Sequence, residues 1–408
     1  MTSQTRSALV VGGGIAGPVV AMALQKAGVE ATVYEAYPSP ADSVGGGLSI
    51  AANGLNALDV IGVGDVVRRV GTPMRGTVMQ NWAGKVLAEF SPPAHLPPAQ
   101  FAWRGDLYRA LSDEATRRGI RTVYGKRLVA ATDTGDQVDV SFADDTRASA
   151  DVLVGADGIR STVRSLIDPG APRPEYAGLL GFAAPVADTG LPPTRGRLHL
   201  SYGKHASCGY LVYADGAGGW FVNLPHREPM TVAQARAVPA QEWLRVLREA
   251  FRDDRSPAPE LLRSSDPADL LITGPLETMP TVPTWSRGRM VLVGDAVHAA
   301  SPSSGQGASI AVESAVQLGR CLRDLPYGEA FAAYERLRRE RVERIINAAI
   351  RTNRNKASPV ARMARDLLMP IAMKVAMRMV KPEKMAWQFE YRIDWDEPVV
   401  TPAGSAHA

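Results

Sequence analysis

Cysteine is scarce in this sequence: Cys208 and Cys321 are the two among 408 residues, and neither sits in a CxxC pair. That excludes a disulfide scaffold and a thiolate zinc site, and it fits reduced, buried thiols in a cytoplasmic protein. Long apolar runs are missing too, since none reaches the ~18 residues of a membrane span. The polar first seven residues lead straight into a strand-like segment, without the basic and then apolar pattern of a secretion signal. The net charge of +4 and pI near 9.0 come from arginines spread along the chain. No dense basic stripe with interleaved aromatics is present, which argues against nucleic-acid binding. Clusters of His, Cys and carboxylates at metal-ligand spacing are absent, so no metal is expected.

What is present is the chemistry of a large soluble protein. The length calls for two or three compact units. Residues 8–11 read as a buried strand, 12–17 as a glycine-rich turn, 15–27 as a helix closed by Gly28, and 30–35 as a second strand. This is a βαβ unit with parallel pairing. Helices are expected at 53–60, 105–118, 243–251, 307–322 and 330–352, and strands at 138–142, 150–154 and 290–293. Between residues 176 and 223 the pattern alternates as in β-strands. The fold class is therefore α/β. A Rossmann-like dinucleotide-binding domain is expected from 1–175 and 281–352, with a β-sheet substrate domain inserted at 176–280 and a C-terminal helical segment at 353–408. Residues 360–380 are apolar, Met-rich and basic, and read as a helix covering the substrate domain, broken at Pro370, rather than as a membrane-surface helix.

Three motifs carry the chemistry. The first is Gly12, Gly14 and Gly17 in GxGxxG spacing, with Ile15 and Ala16 opening the helix. The turn needs backbone angles that a Cβ disfavours, and the pyrophosphate needs close approach to amides at a helix N-terminus. Glu35 follows Gly17 by 18 residues, next to Ala36, at the end of the second strand. A carboxylate there accepts ribose hydroxyls and disfavours a 2′-phosphate, so FAD or NAD fits better than NADP. The second motif is Gly155-Ala156-Asp157-Gly158 with Arg160 and Arg164. The third runs from Gly294 and Asp295 through His298 and Pro302 to Gly305, Gln306, Gly307, Ala308 and Ser309. It puts an acid at a strand end, able to take a ribityl hydroxyl, and then a new helix whose first amides can stabilise negative charge on a flavin ring.

Together these motifs resemble those of the group A flavoprotein monooxygenases, the p-hydroxybenzoate hydroxylase family. Gly45-Gly46-Gly47-Leu48 with Asn53, the Arg104-x-x-Leu107 helix start, and Tyr334-Glu335 with Arg338 and Arg339 extend the resemblance over nearly the whole chain. The short length is similar to that of salicylate and urate hydroxylases and tetracycline-inactivating enzymes. Ala52 departs from the family, where proline is frequent. The resemblance implies that Gly12, Gly14, Gly17 and Glu35 hold the ADP half of FAD. It places Arg104 near the pyrophosphate, Leu128 at the adenine through its backbone, and Asp157 at FAD and NAD(P)H. Asp295 falls at the ribityl region, and Gly47, Leu48, Pro302 and residues 305–309 at the flavin ring.

The implied reaction is hydroxylation of a small aromatic molecule. NADH or NADPH reduces the flavin, and dioxygen then gives a flavin hydroperoxide that delivers one oxygen atom. A reductase or dehydrogenase of the same fold, or a non-catalytic FAD-binding protein, remains an alternative. A halogenase lacks its Trp-x-Trp-x-Ile-Pro segment here. His298 beside Asp295 is a candidate base, though a packed histidine is the commoner outcome, and Pro302 a candidate at the flavin. Tyr210, Tyr213, Trp220 and Asn223 are candidate substrate contacts, each equally readable as core. No Lys or Arg falls between Tyr210 and Leu224, so no arginine clamp for a carboxylate is expected there, which favours a neutral, largely apolar substrate. The basic run 336–344 reads as a solvated helix face.

Overall fold

The computed structural model describes residues 4–40, 45–300, 305–354 and 386–400. Its central sheet has six strands, in the order Ser286–Arg287, Met290–Leu292, Val152–Gly155, Ser7–Val11, Glu30–Tyr34 and Arg121–Val123. Five run parallel and the edge pair at Ser286–Arg287 is antiparallel. The inner strands are near-continuous apolar runs because both faces are covered, as parallel sheets require. One face carries the helix Ala16–Lys26, on which the helix Gly307–Asp324 packs. Gly319 lets these two helices approach closely, since a Cβ there would lie 2.9 Å from the Ala23 carbonyl oxygen.

The second large sheet has seven strands: Leu271–Thr278, Glu175–Val186, Gly218–Pro225, Ser207–Val212, Arg197–Tyr202, Gly76–Asn81 and Val86–Phe90. Its last two strands come from well before residue 176, so the sheet extends beyond the inserted segment that the sequence marks out. Gly76–Asn81 pairs parallel with Arg197–Tyr202, and such non-local pairing leaves no local trace in the sequence. Helices Ala240–Ala250 and Ala258–Arg263 cover one face. Leu244, Leu247, Phe251 and Leu261 form a core there with Phe182, Val222, Trp220 and Tyr210. The other face turns toward the dinucleotide domain.

The long helix Tyr327–Arg354 follows Gly307–Asp324, and residues 386–400 strap across both. Arg341 donates to the carbonyls of Trp387 and Gln388, and Arg320 to that of Glu397. Cys208 and Cys321 are buried and free. Among the described residues no helix is long and apolar enough to cross a membrane, and no cluster could hold a metal. The Met-rich stretch 360–380 and Pro302 lie outside the described residues.

Candidate active site

The glycine turn is built as its spacing predicts. Gly12 has φ +103°, and a Cβ there would meet the Ala156 carbonyl oxygen at 2.4 Å. A Cβ at Gly17 would fall 1.9 Å from the Gly12 carbonyl oxygen. Gly14 differs, because a Cβ there would meet only the Arg104 guanidinium at 3.7 Å. Packing requires Gly12 and Gly17, whereas Gly14 keeps the approach to the helix N-terminus clear, next to Ile15 and Ala16. Glu35, buried at the strand end, accepts from the amides of Gly13 (2.6 Å) and Tyr37 (2.8 Å). The carboxylate thus also fixes the turn it faces. Lys126 donates its amide to the Glu35 carbonyl, which brings residues 126–128 beside Glu35 and Ala36. The Leu128 side chain is in the core, and the residue opens a strand opposite Phe142.

The other end of the cradle gathers residues far apart in sequence. Strand Gly47–Ile50 pairs with Ala99–Trp103, setting Leu48 opposite Ala102. The Arg104 amide donates to the Gly46 carbonyl (2.9 Å), and its side chain crosses Gly45 to reach Gly14. Gly294 (φ +66°) packs against Ala16, so the third motif sits on the first. Solvent reaches Asp295 between buried Gly294 and Ala296, although protein surrounds it. That surrounding raises its carboxyl above the ordinary value, with the Arg104 charge opposing. The Ser49 hydroxyl donates to the Gly305 carbonyl (3.3 Å) and the Ala51 amide to Ser309 Oγ (2.9 Å). Gly305 through Ser309 is thereby held against the 47–51 strand, and Gly307 and Ala308 open an 18-residue helix whose first amides have no partner within it. Ser309 itself is buried and serves this tie.

Asp157 stands against the glycine turn, where a Cβ at Gly12 would lie 2.7 Å from its Cα. It accepts from the Ser161 hydroxyl (2.5 Å) and the amides of Thr162 (2.7 Å) and Val163 (3.1 Å), capping the helix Thr162–Ile167. Buried Arg164 ties the second motif to the third by donating to the Ala296 and Ile159 carbonyls. His298 is buried, with Nε2 3.0 Å from Ser314 Oγ and its ring against Trp285. Burial and the nearby Arg338 charge push its pKa down to about 3, so the ring is neutral, packed and a weak proton acceptor.

A buried ionic cluster, not anticipated from the residue pattern, stands behind the 305–309 turn. Glu313 and Arg338 are both fully buried and pair at 2.6 Å. Arg341 adds a bidentate pair to the same carboxylate at 2.9 Å, and Asn53 donates to it at 2.5 Å. Burial alone would raise the Glu313 carboxyl, but the arginines bring it below the ordinary range. The expectation of a solvated face at 336–344 therefore fails at Arg338 and Arg341. A signal for this was available: Phe331, Tyr334, Arg338, Val342 and Ile345 recur at helical spacing, and all are buried.

Of the candidate substrate contacts, Tyr210 and Trp220 make their side-chain hydrogen bonds on the helix-covered face of the sheet. Trp220 donates its indole N–H to Ser265 Oγ (2.7 Å), and the Tyr210 hydroxyl accepts from Gln80 (2.9 Å), both within the sheet–helix core. Strand alternation then assigns the facing side to Leu198, Leu200, Gly209, Leu211, Gly219, Phe221 and Asn223. Contacts agree: a Cβ at Gly219 would meet the Trp103 ring at 2.4 Å, and one at Gly46 would meet Ala183 at 3.0 Å. A cavity between the sheet and the segment holding Gly47, Phe101 and Trp103 is lined by Leu198, Leu211 and Phe221, and Tyr210 and Trp220 reach its wall as well. Asn223 stays on that side, while half-buried Tyr213 lies at a hairpin turn near Thr72.

A parallel sheet with a glycine-lined helix N-terminus at its carboxyl edge, an acid beyond it, and a second acid reached by solvent beside the pyrophosphate arginine suits an elongated flavin dinucleotide. This defines a flavoprotein with a β-sheet closing over the flavin end. The chain belongs to the FAD binding domain family, matched over residues 5–192 and 277–349. It is 31% identical to 6-hydroxynicotinate 3-monooxygenase from Pseudomonas fluorescens, over 86% of this chain and 93% of that protein. It is 30% identical to the FAD-dependent urate hydroxylase of Klebsiella pneumoniae, over 83% of this chain and 87% of that one. The crystal structure of Klebsiella pneumoniae HpxO with FAD and uric acid superposes with a TM-score of 0.82 at 24% identity, covering 94% and 96% of the two chains. Tetracycline destructase Tet(51) shares the fold with a TM-score of 0.65 at 21% identity, over 92% and 99%. The protein is an FAD-dependent, NAD(P)H-consuming monooxygenase of the hydroxylase class.

Proposed function

We propose that this enzyme hydroxylates a neutral, largely apolar aromatic or polycyclic compound, using dioxygen and NADH or NADPH, in the cytoplasm. The observation that carries the substrate reading is the sheet face toward the dinucleotide domain. Leu198, Leu200, Leu211 and Phe221 present apolar surface there, and Trp103 and Phe101 close it from the other domain. No arginine or lysine stands among these residues, and a carboxylate buried without a cation is strongly disfavoured. Asn223 supplies one polar group able to orient a hydroxyl or ring nitrogen.

Bound FAD supplies the hydride acceptor and the oxygen-activating ring. The chain's part is to bind, orient and exclude water. Gly12, Gly14, Gly17 and Glu35 would hold the adenosine and pyrophosphate half, Arg104 would neutralise phosphate, and Asp295 would accept from the ribityl chain. The 305–309 turn presents helix amides to the flavin ring, where they favour negative charge. The apolar sheet keeps water from the reacting centre. His298 is read as a packed residue rather than the base, because its lowered pKa makes the ring a weak proton acceptor and its Nε2 is bonded to Ser314.

A turnover panel tests the substrate reading. Neutral indoles, phenols and polycyclic phenols should stimulate NAD(P)H oxidation with a higher kcat/KM than salicylate-like acids. Acids outperforming their neutral analogues would overturn it.

A further inference from the structure

Asn53 and Gln306 are far apart in sequence, yet both are fully buried and bonded side chain to side chain. Asn53 Nδ2 lies 3.0 Å from Gln306 Oε1 and 2.5 Å from Glu313 Oε1. A carboxylate only accepts, so the Asn53 amide must present its nitrogen to this pair, and its two N–H groups are both engaged. Its oxygen makes no hydrogen bond among the described residues, so the donors alone orient the side chain. Gln306 is the N-cap residue of the helix Gly307–Asp324, between Gly305 (φ +60°) and the first helical amides. Glu313 lies two turns further along the same helix and cannot move, because Arg338 and Arg341 grip it from the helix Tyr327–Arg354. Asn53 itself sits in the helix Ala52–Val60, directly after the strand that carries Gly47 and Leu48. One amide therefore clamps the two segments that border the flavin ring to a buried ionic anchor.

We infer that Asn53 is a positioning residue for the isoalloxazine end of FAD: it sets the 305–309 turn through Gln306, with Glu313 as its fixed reference. The inference rests on the reading that this turn borders the flavin ring. At the opposite end of the cradle Glu35 fixes the glycine turn through its own bonds to the amides of Gly13 and Tyr37. Loss of the clamp should thus weaken flavin placement and spare the adenine end.

The test uses apoprotein of the full chain, wild type and Asn53→Ala, titrated with FAD by flavin fluorescence and with ADP by calorimetry. Losing both hydrogen bonds of the buried Asn53 amide should raise the Kd for FAD about tenfold or more. The Kd for ADP should stay unchanged, and the absorption band of the residual bound flavin should shift. Gln306→Met is the second variant. It cuts the same link while leaving Glu313 paired with both arginines, so it keeps the fold if Asn53→Ala does not, and the same selective loss is expected. Equal weakening of FAD and ADP, or no change in either, would overturn the inference. A wild-type protein that binds ADP but gains nothing from the flavin half would instead refute the reading on which it rests.

Discussion

Replacing Asp295 by asparagine separates what this residue does for the fold from what it does for the cofactor. Protein surrounds the carboxylate and raises its pKa in the folded state, with the Arg104 charge opposing. The native state therefore holds the proton to higher pH than the unfolded chain. Stability is lost as pH rises from the unfolded value through the folded one, and the ionised form burdens the apoprotein at neutral pH. Solvent reaches the group and screens that burden, so the Asp295→Asn apoprotein should melt no lower at pH 7 than wild type. Its affinity for FAD should fall. A hydrogen bond to a charged group contributes about 1.5–3 kcal/mol, so the Kd should rise roughly 10- to 150-fold. Differential scanning fluorimetry of the apoprotein and fluorescence titration with FAD measure the two quantities on one preparation. An Asp295→Asn protein that melts lower and binds FAD as tightly as wild type would refute the placement of this acid at the ribityl chain.

Gly17→Ala forces a methyl to within 1.9 Å of the Gly12 carbonyl oxygen, so the protein should purify colourless and fail to reconstitute with FAD. Trp220→Phe deletes the bond to Ser265 in the sheet–helix core, and denaturant unfolding should show a loss of about 1–2 kcal/mol. Leu211→Arg, on the opposite face, should raise KM for neutral substrates by an order of magnitude or more and leave flavin content unchanged. His298, held at about 3 by burial, binds its proton less well folded than unfolded, so stability should fall as pH drops from about 6.5 toward 3. His298→Phe should flatten that part of the stability–pH curve, and kcat should show no titration belonging to this residue.

The dinucleotide end was legible because its demands are local. A tight turn, a helix N-terminus and an acid at the next strand end all fall within residues 12–35, and each residue type follows from backbone geometry. The substrate face was legible only as a period. Tyr210 and Trp220 alternate with Leu211 and Gly219, and both faces of the sheet are covered, one by helices and one by the other domain. Alternation separates the two sets without saying which faces the flavin. The helix packing at Leu244, Leu247 and Leu261 decides that, and it is a tertiary fact. The same holds for strands Gly76–Asn81 and Val86–Phe90, whose place in the second sheet depends on a parallel pairing across more than a hundred residues. Arg338 was missed for a different reason. A charged residue in a basic helix is ordinarily solvated, and only the buried carboxylate of Glu313 overrides that prior.

Turnover under labelled dioxygen is the most direct test of the central claim. The purified enzyme, supplied with FAD, NADH or NADPH and its best neutral aromatic substrate from the turnover panel, is run under ¹⁸O₂ in unlabelled water, and the product is analysed by mass spectrometry. A hydroxylated product carrying a single oxygen atom from dioxygen is expected, with one nicotinamide oxidised per hydroxyl formed. Product bearing oxygen from water, or substrate reduced with no oxygen gained, would contradict the assignment.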